Sequence, residues 1–370
     1  MEKISINRTE LCEVLCKGGA FAGKSKIMPI LNDICITTKD NRIRVESSDS
    51  ENYIRSYGHC DSTANMSFCV NAKEFVSYID LLSEDTITME YDSDKKQLII
   101  KHNSGKITLP TCDSEEFPVM KPMKESTKIE MPGDVLAGWL TKAGDFAMKG
   151  NMGVVLEGIY IYANSDYIGV CGGEHSQIFT ARVPNTYNIP EFGVVLPKVS
   201  ANIIAAMCAT SEKVTLMQDE NALYIRTGNM LVYSLLINSK YPNVSVLFKQ
   251  RGNNCFSIDK SVLLQSVKRI ESQTVKDYES IQLRCTGSVL ELSYNVDELS
   301  KYLSESLPCE GGAFDEVTVD IKRFKKALTN YNGDKITIYH EKSERSPFFF
   351  ENHFNDSVEL SLLAVMLKNY

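Results

Sequence analysis

One stretch of the sequence has the residue types of a phosphate-binding loop. Residues 18–25, GGAFAGKS, satisfy the pattern G-x4-G-K-[ST], in which backbone amides and a lysine, here Lys24, hold nucleotide phosphates. That chemistry requires a strand before the loop and a helix directly after it. Here the preceding segment has helical spacing, and the following one contains Pro29 and β-forming residues. A P-loop nucleotide-binding protein is therefore the weaker alternative, and we interpret the glycines as a flexible loop.

Cysteine and histidine are the other residue types that could form a reactive or metal site. The 11 cysteines are scattered without a CxxC pair, which argues against a disulfide framework and a structural zinc site. Cys12 with Cys16, and Cys171 with His175, are two-ligand spacings that arise often by chance. The five histidines do not cluster with a nucleophile and an acid, and no GxSxG, HExxH or paired-carboxylate motif stands out. We therefore predict a protein that is not an enzyme and uses no metal or cofactor.

Length and composition are those of an ordinary cytosolic protein. At 370 residues the chain suits two or three domains, and its 43% hydrophobic content is typical of globular proteins. No apolar stretch approaches the roughly 20 residues that span a bilayer, and the start, MEKISINRTEL, lacks the order of a signal peptide. We expect a cytoplasmic protein. The net charge of −8 does not favour nucleic-acid binding, although the position of positive charge matters more than the sum.

The sequence repeats itself three times at a long period. Thr86–Met89, Lys213–Leu216 and Lys335–Ile338 are alternating strand starts, spaced by 127 and then 122 residues. Each is followed by two further apolar runs, so each predicts three consecutive strands. The first two copies close with an aromatic residue and a proline, beginning at Phe117 and at Tyr241. The period predicts three similar domains, 1–125, 126–250 and 251–370.

Helical spacing recurs with the same period. Asn71, Asp259 and Asp320 each stand where a side chain can cap a following helix. The segments with apolar residues at 3-4 spacing are Leu11–Leu15, Phe75–Leu82, Leu136–Ala143, Ile203–Met207, Val262–Ile270 and Ile321–Leu328. Tight turns at 92–94 and 227–229 indicate antiparallel strands. The predicted fold class is α+β, with two helices packed on antiparallel sheet in each domain, and repeated edges favour a closed ring.

The order of these features resembles one known family along the whole chain. The chain is similar to the beta subunit of bacterial DNA polymerase III, the sliding clamp, and looks like a divergent member. The stretches that carry the resemblance are 26–36 (KIMPILNDICI), 68–120, 154–162 (VVLEGIYIY), 194–204 (VVLPKVSANII), 236–248 (LINSKYPNVSVLF) and the ending LAVMLKNY.

The resemblance implies a head-to-tail homodimer of three-domain subunits that forms a pseudo-sixfold ring around double-stranded DNA. Such a ring is a processivity factor, which tethers the replicative polymerase by encircling the duplex. Helices line the hole, and contacts to phosphate are non-specific and salt-sensitive. The basic residues expected to face DNA are Lys24, Lys26, Lys149, Lys198, Lys268, Arg269, Lys322, Arg323, Lys325 and Lys326.

The resemblance also implies a cleft that receives short linear peptides from the polymerase and the clamp loader. Its residues in this chain would be Leu156, Gly173, His175, Ile178, Pro242, Val246, Leu247, Met366, Leu367 and Lys368. The family usually has Asp-Gly-His-Arg-Leu where this chain reads EHSQI at 174–178, and a proline at Met366. The altered cleft predicts altered partners.

Dimer contacts follow from the same resemblance. The edge strand of the first domain that carries Ile107 and Leu109 would meet the third domain near Ile270, and Lys73 would face the acidic stretch that includes Glu298. A non-DNA structural repeat protein is the remaining alternative. Basic residues on helices rather than on strands weigh against that alternative.

Overall fold

The chain forms two compact units. The computed structural model describes residues 2–23, 25–123, 128–150, 154–186, 189–249, 251–341, 346–354 and 357–366. Unit 1 comprises 1–138 and 199–236, and unit 2 comprises 139–198 and 237–370. The division into three domains comes from the repeat in the sequence and stays a prediction.

All six predicted helices are confirmed, and a short seventh one accompanies them in the described residues. Its four residues are too few to give a periodic signal. The helices are α1 (Arg8–Gly18), α2 (Ala72–Leu81), α3 (Gly133–Phe146), α4 (Lys198–Cys208), α5 (Ser245–Phe248), α6 (Lys260–Glu271) and α7 (Ile321–Asn330). None of the helices in the described ranges has the length and apolar character that a bilayer span requires.

The predicted caps are confirmed by their hydrogen bonds. The Asn71 side chain accepts from the amide of Glu74 at 3.1 Å, and the Asp259 side chain accepts from the amide of Val262 at 2.9 Å. Asp320 caps α7 by accepting from the backbone amide of Arg323 at 2.8 Å. Each bond satisfies one of the amides that a helix start leaves without an intrahelical partner.

The strands alternate with these helices and pair antiparallel throughout the named pairings. In chain order they are β1 (Glu2–Asn7), β2 (Asp33–Lys39), β3 (Arg42–Ser48), β4 (Asn52–His59), β5 (Asp61–Ser62), β6 (Met66–Asn71), β7 (Thr86–Asp92), β8 (Gln97–His102), β9 (Gly105–Asp113), β10 (Lys128–Met131), β11 (Gly158–Ala163), β12 (Tyr167–Glu174), β13 (Gln177–Pro184), β14 (Phe192–Pro197), β15 (Val214–Gln218), β16 (Ala222–Thr227), β17 (Met230–Leu235), β18 (Cys255–Asp259), β19 (Ser280–Cys285), β20 (Val289–Val296), β21 (Lys301–Pro308), β22 (Glu310–Gly311), β23 (Phe314–Asp320), β24 (Lys335–Tyr339), β25 (Phe348–Phe354) and β26 (Ser357–Leu363).

Each unit is built on long sheets. Unit 1 holds one sheet in the order β10-β15-β16-β17-β4-β3-β2-β6-β9-β8-β7-β1-β5. Unit 2 holds a sheet in the order β14-β11-β12-β13-β26-β25-β24-β18-β22 and a smaller one in the order β21-β20-β19-β23. The three predicted strand triplets are confirmed as β7-β8-β9, β15-β16-β17 and β24-β25-β26. The α+β class is therefore confirmed.

The core of unit 1 shows how the helices meet the sheet. Leu11 and Val14 of α1 are buried, and they belong to one apolar cluster with the inward side chains of the strands. A Cβ atom at Gly58 would lie 2.7 Å from the Cγ2 atom of Val14, so β4 needs a glycine where α1 crosses it. Close approach of this kind removes apolar surface from water, which stabilises the fold by roughly 25 cal/mol for each Å² buried.

Candidate nucleic-acid face and partner cleft

Three of the predicted DNA-facing lysines lie together at the C-terminal end of α3 in unit 2. The Nζ atom of Lys326 donates to the carbonyl of Asp145 at 3.0 Å, and that of Lys198 donates to the carbonyl of Ala147 at 3.3 Å. Lys149 follows in the next loop and is exposed. The last carbonyls of a helix lack intrahelical partners and carry partial negative charge, so they attract ammonium groups.

Burial and mutual repulsion act on this lysine cluster, which we define as Lys149, Lys198 and Lys326. Burial lowers the pKa of Lys198 and of Lys326, and the charge of Lys149 lowers both further. Asp145 and Glu174 act in the opposite direction. Burial is the main cause of both shifts, so the lysine cluster holds two ammonium groups partly withdrawn from water, and an incoming phosphate would stabilise their charged form.

Most basic residues of the last two helices are paired with carboxylates. Arg269 donates twice to Glu305, at 2.8 and 2.5 Å. The other pairs are Lys322 with Glu279 at 2.6 Å, Arg323 with Glu174 at 2.9 Å and Lys325 with Glu271 at 2.6 Å. These carboxylates reduce the net positive charge around α6 and α7. Three of them, Glu305, Glu279 and Glu174, lie outside the two helices, so the sequence of the helices alone suggested a larger charge.

Two further residues that were predicted to face DNA are more exposed to solvent than the half-buried members of the lysine cluster. Lys268 on α6 and Lys26 in the loop after α1 are exposed, and neither has an ion pair within the described part of the chain. Ile27 beside Lys26 is 92% exposed. Lys24 lies outside the described residues. For the P-loop alternative the order of elements is reversed, since α1 precedes the glycines and a 3-10 turn at Pro29–Asn32 follows them.

An apolar cluster in unit 2 brings together two of the predicted cleft residues. Leu156 and Ile178 pack in it around buried Tyr241. Its other members, none of them predicted, are Val155, Tyr160, Cys171, Val195, Ile237 and Val244. The alternation of the sequence GIYIYA places Tyr160 and Tyr162 on one face of β11, and this was the signal that could have identified the aromatic part of the cluster.

Three tyrosines form a stacked row across this face. The rings of Tyr160 and Tyr241 are 5.1 Å apart and nearly parallel, and those of Tyr160 and Tyr162 are 5.3 Å apart. A Cβ atom at Gly193 would lie 2.4 Å from the Oη atom of Tyr160, so this glycine makes room for the ring. Burial raises the pKa of the Cys171 thiol beneath the row to about 12. The floor of the cluster is therefore aromatic and uncharged.

The remaining predicted cleft residues lie around this cluster or outside the description. Gly173 is buried opposite Ile178 in the pairing of β12 with β13. His175 is exposed in the turn between those strands, and Val246 is 52% exposed on α5. The exposed Pro242 follows Tyr241, Leu247 is half-buried, and Met366 bridges to Thr318 of β23. Leu367 and Lys368 lie outside the described residues.

Several strands are paired on one side only among the described residues, and two of these open edges are those of β9 and β21. Gly105–Pro110, the first part of β9, pairs with β8 alone, and β21 pairs with β20 alone among the described strands. Ile107 is half-buried on the first edge, while Leu109 is 5% exposed. Ile270 was expected at a dimer contact, but its side chain on α6 is fully buried in the core. It could therefore affect such a contact only by holding α6 in place. Lys73 and Glu298 are exposed.

Comparisons with known proteins agree with this architecture. Residues 2–121 match the family model of the DNA polymerase III beta subunit, N-terminal domain. The chain is 20% identical over 298 residues to a beta sliding clamp of Rickettsia bellii, covering 79% of this chain and 78% of that protein. It is 20% identical over 317 residues to one of Haemophilus influenzae, covering 80% of this chain and 86% of that protein.

Solved structures show the same fold along the full length. The sliding clamp of Pseudomonas aeruginosa, bound to griselimycin, aligns with a TM-score of 0.91 at 15% identity, over 99% of this chain and 100% of that one. The clamp of Bacillus subtilis aligns with a TM-score of 0.89 at 18% identity, over 99% of each chain. At these identities the likeness in structure establishes the fold.

Proposed function

We propose that the chain is a divergent beta sliding clamp and that two copies of it close around DNA. Members of this family are non-catalytic accessory subunits of the polymerase. The observation that supports closure best is the pair of open edges, Gly105–Pro110 of β9 and Lys301–Pro308 of β21. An unpaired strand edge can pair with another strand where no charge, proline, bulge or covering element protects it.

In the proposed ring, β9 of one copy adds to β21 of the next, head to tail. Two such contacts close a dimer, with three domains at 1–125, 126–250 and 251–370 in each copy. The same kind of pairing already joins β4 to β17 and β13 to β26 within the chain. Exposed Lys73 and Glu298 would lie near the proposed contact and attract one another across it. We place the protein in the cytoplasm.

The proposed inner surface contacts phosphate without reading bases. The lysine cluster would carry the strongest contacts, because its charge is already crowded and partly withdrawn from water. Lys26 and Lys268 would add exposed contacts, and the paired cations of α6 and α7 would contribute less. Encirclement then prevents sideways dissociation, while weak phosphate contacts permit sliding.

The proposed partner site is the apolar cluster around Tyr241. Leu156 and Ile178 would receive the apolar side chains of a short peptide, and the tyrosine row would form the floor. In the EHSQI turn, the Glu174 carboxylate accepts from Arg323 at 2.9 Å and from the Gln177 amide at 3.0 Å. A carboxylate already engaged in this way would not be available to a peptide. We propose that the polymerase and clamp loader peptides that bind this chain differ from the usual ones.

The topological mechanism is tested by retention on DNA of different shape. The protein is incubated with nicked circular plasmid, separated from free protein on a sizing column at 0.15–0.5 M salt, and then followed after restriction cleavage. We expect retention on the circle and release at least about tenfold faster from the linear product, since salt screens phosphate contacts but not encirclement. Equal release from circle and line would refute the ring.

The closing contact is tested separately by sedimentation. Ile107 packs against the core of unit 1, so the neighbouring exposed residue of β9 is replaced instead. Thr108→Asp places a charge on the proposed edge and is expected to shift the dimer towards monomer by at least tenfold in Kd. Lys95→Asp, in the exposed turn between β7 and β8, is the matched control and should leave the dimer unchanged. A wild-type chain that sediments as a monomer at micromolar concentration would contradict closure by two copies.

A further inference from the structure

Three cysteines stand in one row across the sheet of unit 1. Cys35 of β2 is the direct register partner of Cys69 of β6, and Cys69 is the direct partner of Cys112 of β9. Direct partners in antiparallel strands point to the same face and have Cβ atoms about 4.5–5.5 Å apart. A disulfide needs about 3.5–4.5 Å between Cβ atoms, so either neighbouring pair can be bridged by a small contraction of the sheet.

The row runs from the protein interior to the surface. Cys69 is fully buried and Cys35 is 5% exposed, and both lie beneath Phe117 and Ile30. Cys112, at the other end, is exposed. An oxidant in solution therefore meets Cys112 first and cannot reach the inner two sulfurs without moving their cover.

The inner end of the row is set up to hold a thiolate. Glu46 of β3 is the register partner of Cys35, and Arg44 neutralises it at 2.8 Å together with Arg55. Hydrogen bonding by Cys69 lowers the pKa of Cys35, whereas burial raises the pKa of Cys112. The pKa of the central Cys69 is raised furthest, by its hydrogen bond to Cys35 and by burial, so Cys35 is the one member of the row that favours the thiolate, against the opposing effects of burial and of Glu46. Cys112 is the one member that is exposed.

We propose that Cys112, Cys69 and Cys35 form a thiol relay that carries oxidation by a peroxide from the surface to a buried Cys35–Cys69 disulfide. The straight row supplies the geometry, because thiol–disulfide exchange places the attacking, central and leaving sulfurs in line. The relay is independent of DNA binding and would be present in the isolated chain.

Each step of the relay balances. The Cys112 thiol attacks hydrogen peroxide, the O–O bond breaks, and Cys112 sulfenic acid and one water form. The Cys69 thiol then attacks the Cys112 sulfur and releases a second water, giving the Cys69–Cys112 disulfide. The Cys35 thiolate attacks the Cys69 sulfur, the Cys69–Cys112 bond breaks, and Cys112 leaves as a thiolate that takes up the proton lost by Cys35. One peroxide has then accepted the two electrons of the Cys35–Cys69 disulfide.

The relay is tested on the full chain by timed oxidation. The reduced protein is treated with a fewfold excess of hydrogen peroxide, quenched with iodoacetamide, digested without reductant and analysed by mass spectrometry. We expect the peptide pair linked through Cys69 and Cys112 to rise and fall before the pair linked through Cys35 and Cys69. In Cys112→Ser, formation of the Cys35–Cys69 disulfide should slow by at least tenfold.

Two controls separate the relay from general oxidation. Cys16 is also exposed, so Cys16→Ser is a control that removes a surface thiol outside the row. This variant should form the Cys35–Cys69 disulfide at the wild-type rate. The Sγ atoms of Cys285 and Cys309 lie 3.5 Å apart but both residues are buried, so this pair should remain reduced. Inner oxidation at an unchanged rate in Cys112→Ser would overturn the relay. So would oxidation of Cys285 with Cys309 at the same rate as the row, or accumulation of Cys112 sulfinic acid with Cys69 still free.

Discussion

Two strand pairings join distant parts of the chain, and each satisfies buried polar groups with a different kind of side chain. Contact A pairs Asn52–Ser56 of β4 with Met230–Ser234 of β17 in unit 1. Contact B pairs Gln177–Arg182 of β13 with Val358–Leu363 of β26 in unit 2. Both are antiparallel and both bury polar groups. Contact A uses neutral side chains at its centre, and contact B uses an ion pair.

The polar centre of contact A is the Asn52 amide. Its Oδ1 atom accepts from the hydroxyl of Ser200 on α4 at 2.7 Å and from that of Ser234 at 2.6 Å. Its Nδ2 atom donates to the carboxylate of Asp49 at 3.0 Å. Two buried hydroxyls are thus satisfied without placing a charge between the strands, which keeps the cost of desolvation small.

The polar centre of contact B is the carboxylate of Glu359, which is 6% exposed. The ammonium of Lys142 on α3 donates to both of its oxygens at 2.7 Å, and Asn332 donates to one of them at 3.1 Å. Such a pair adds little net stability over an apolar pair, but removal of one partner leaves a buried charge. Contact B should therefore be the more sensitive of the two to a single substitution.

The largest effect is expected for Lys142→Met at contact B. The substitution keeps the apolar stem of the side chain and removes the charge, so Glu359 is left buried without its cation. We expect a loss of about 3–5 kcal/mol in the free energy of unfolding. Urea unfolding followed by the fluorescence of Trp139, which is 4% exposed on α3 in unit 2, measures it.

The double variant Lys142→Met with Glu359→Leu separates the buried charge from the lost packing. Replacing both partners by apolar groups removes the uncompensated charge, and most of the lost stability should return. A double variant as unstable as Lys142→Met alone would mean that contact B depends on the ion pair itself.

Contact B also illustrates what the sequence could and could not predict. Lys142 lies in the segment predicted as the third helix, but its partner Glu359 lies 217 residues further on. The same holds for the pair of Arg323 with Glu174, which are 149 residues apart. Local spacing identifies a cation on a helix face, whereas its neutralisation depends on which strand passes beside it.

Features that depend on local chemistry were predicted more completely. The caps at Asn71, Asp259 and Asp320 need only a side chain and the amide three residues on, and all three are present. In the cleft, Leu156 and Ile178 were expected, but Val155 and Tyr241 were not assigned to the cluster. Val155 precedes Leu156 in one 3-10 turn, but Tyr241 comes from a separate segment, so its contact with the expected residues required the tertiary structure.

A smaller effect is expected for Asn52→Leu at contact A. The hydroxyls of Ser200 and Ser234, both fully buried, lose their common acceptor. The half-buried Asp49 carboxylate loses its side-chain donor but keeps two backbone donors. We expect a loss of about 2 kcal/mol. Cys208 on α4 is buried in unit 1, so its thiol becomes open to alkylation when unit 1 unfolds. The urea concentration at which alkylation begins therefore measures the stability that contact A contributes.

Ser234→Ala is the matched control, since it removes one donor and leaves Asn52 bonded to Ser200. Ser234→Ala should lose about 1 kcal/mol in the free energy of unfolding. The urea midpoint followed by Trp139 fluorescence should stay unchanged in both Asn52→Leu and Ser234→Ala. A loss at Asn52→Leu as large as that of Lys142→Met would show that neutral and charged centres are equally sensitive, and the contrast between the two contacts would be wrong.

The smallest effect is a dependence on pH confined to unit 2. His340 is 2% exposed, with its ring 4.5 Å from that of Phe348 and 4.9 Å from that of Phe314. Burial lowers the pKa of His340 below its usual value near 6.5. The unfolded chain therefore binds a proton more readily than the folded one, so stability is full above about pH 6.5 and falls as the pH drops towards the folded-state value.

Replacing the titrating ring tests this assignment. Between pH 7.5 and 5.5 the wild type should lose on the order of 1 kcal/mol by Trp139 fluorescence, and His340→Leu should lose distinctly less. Alkylation of Cys208 in unit 1 should show the same dependence on pH in both proteins, because contact A contains no histidine. If the dependence at Trp139 persists in His340→Leu, another group of unit 2 titrates. The assignment of the pH dependence to His340 would then be wrong.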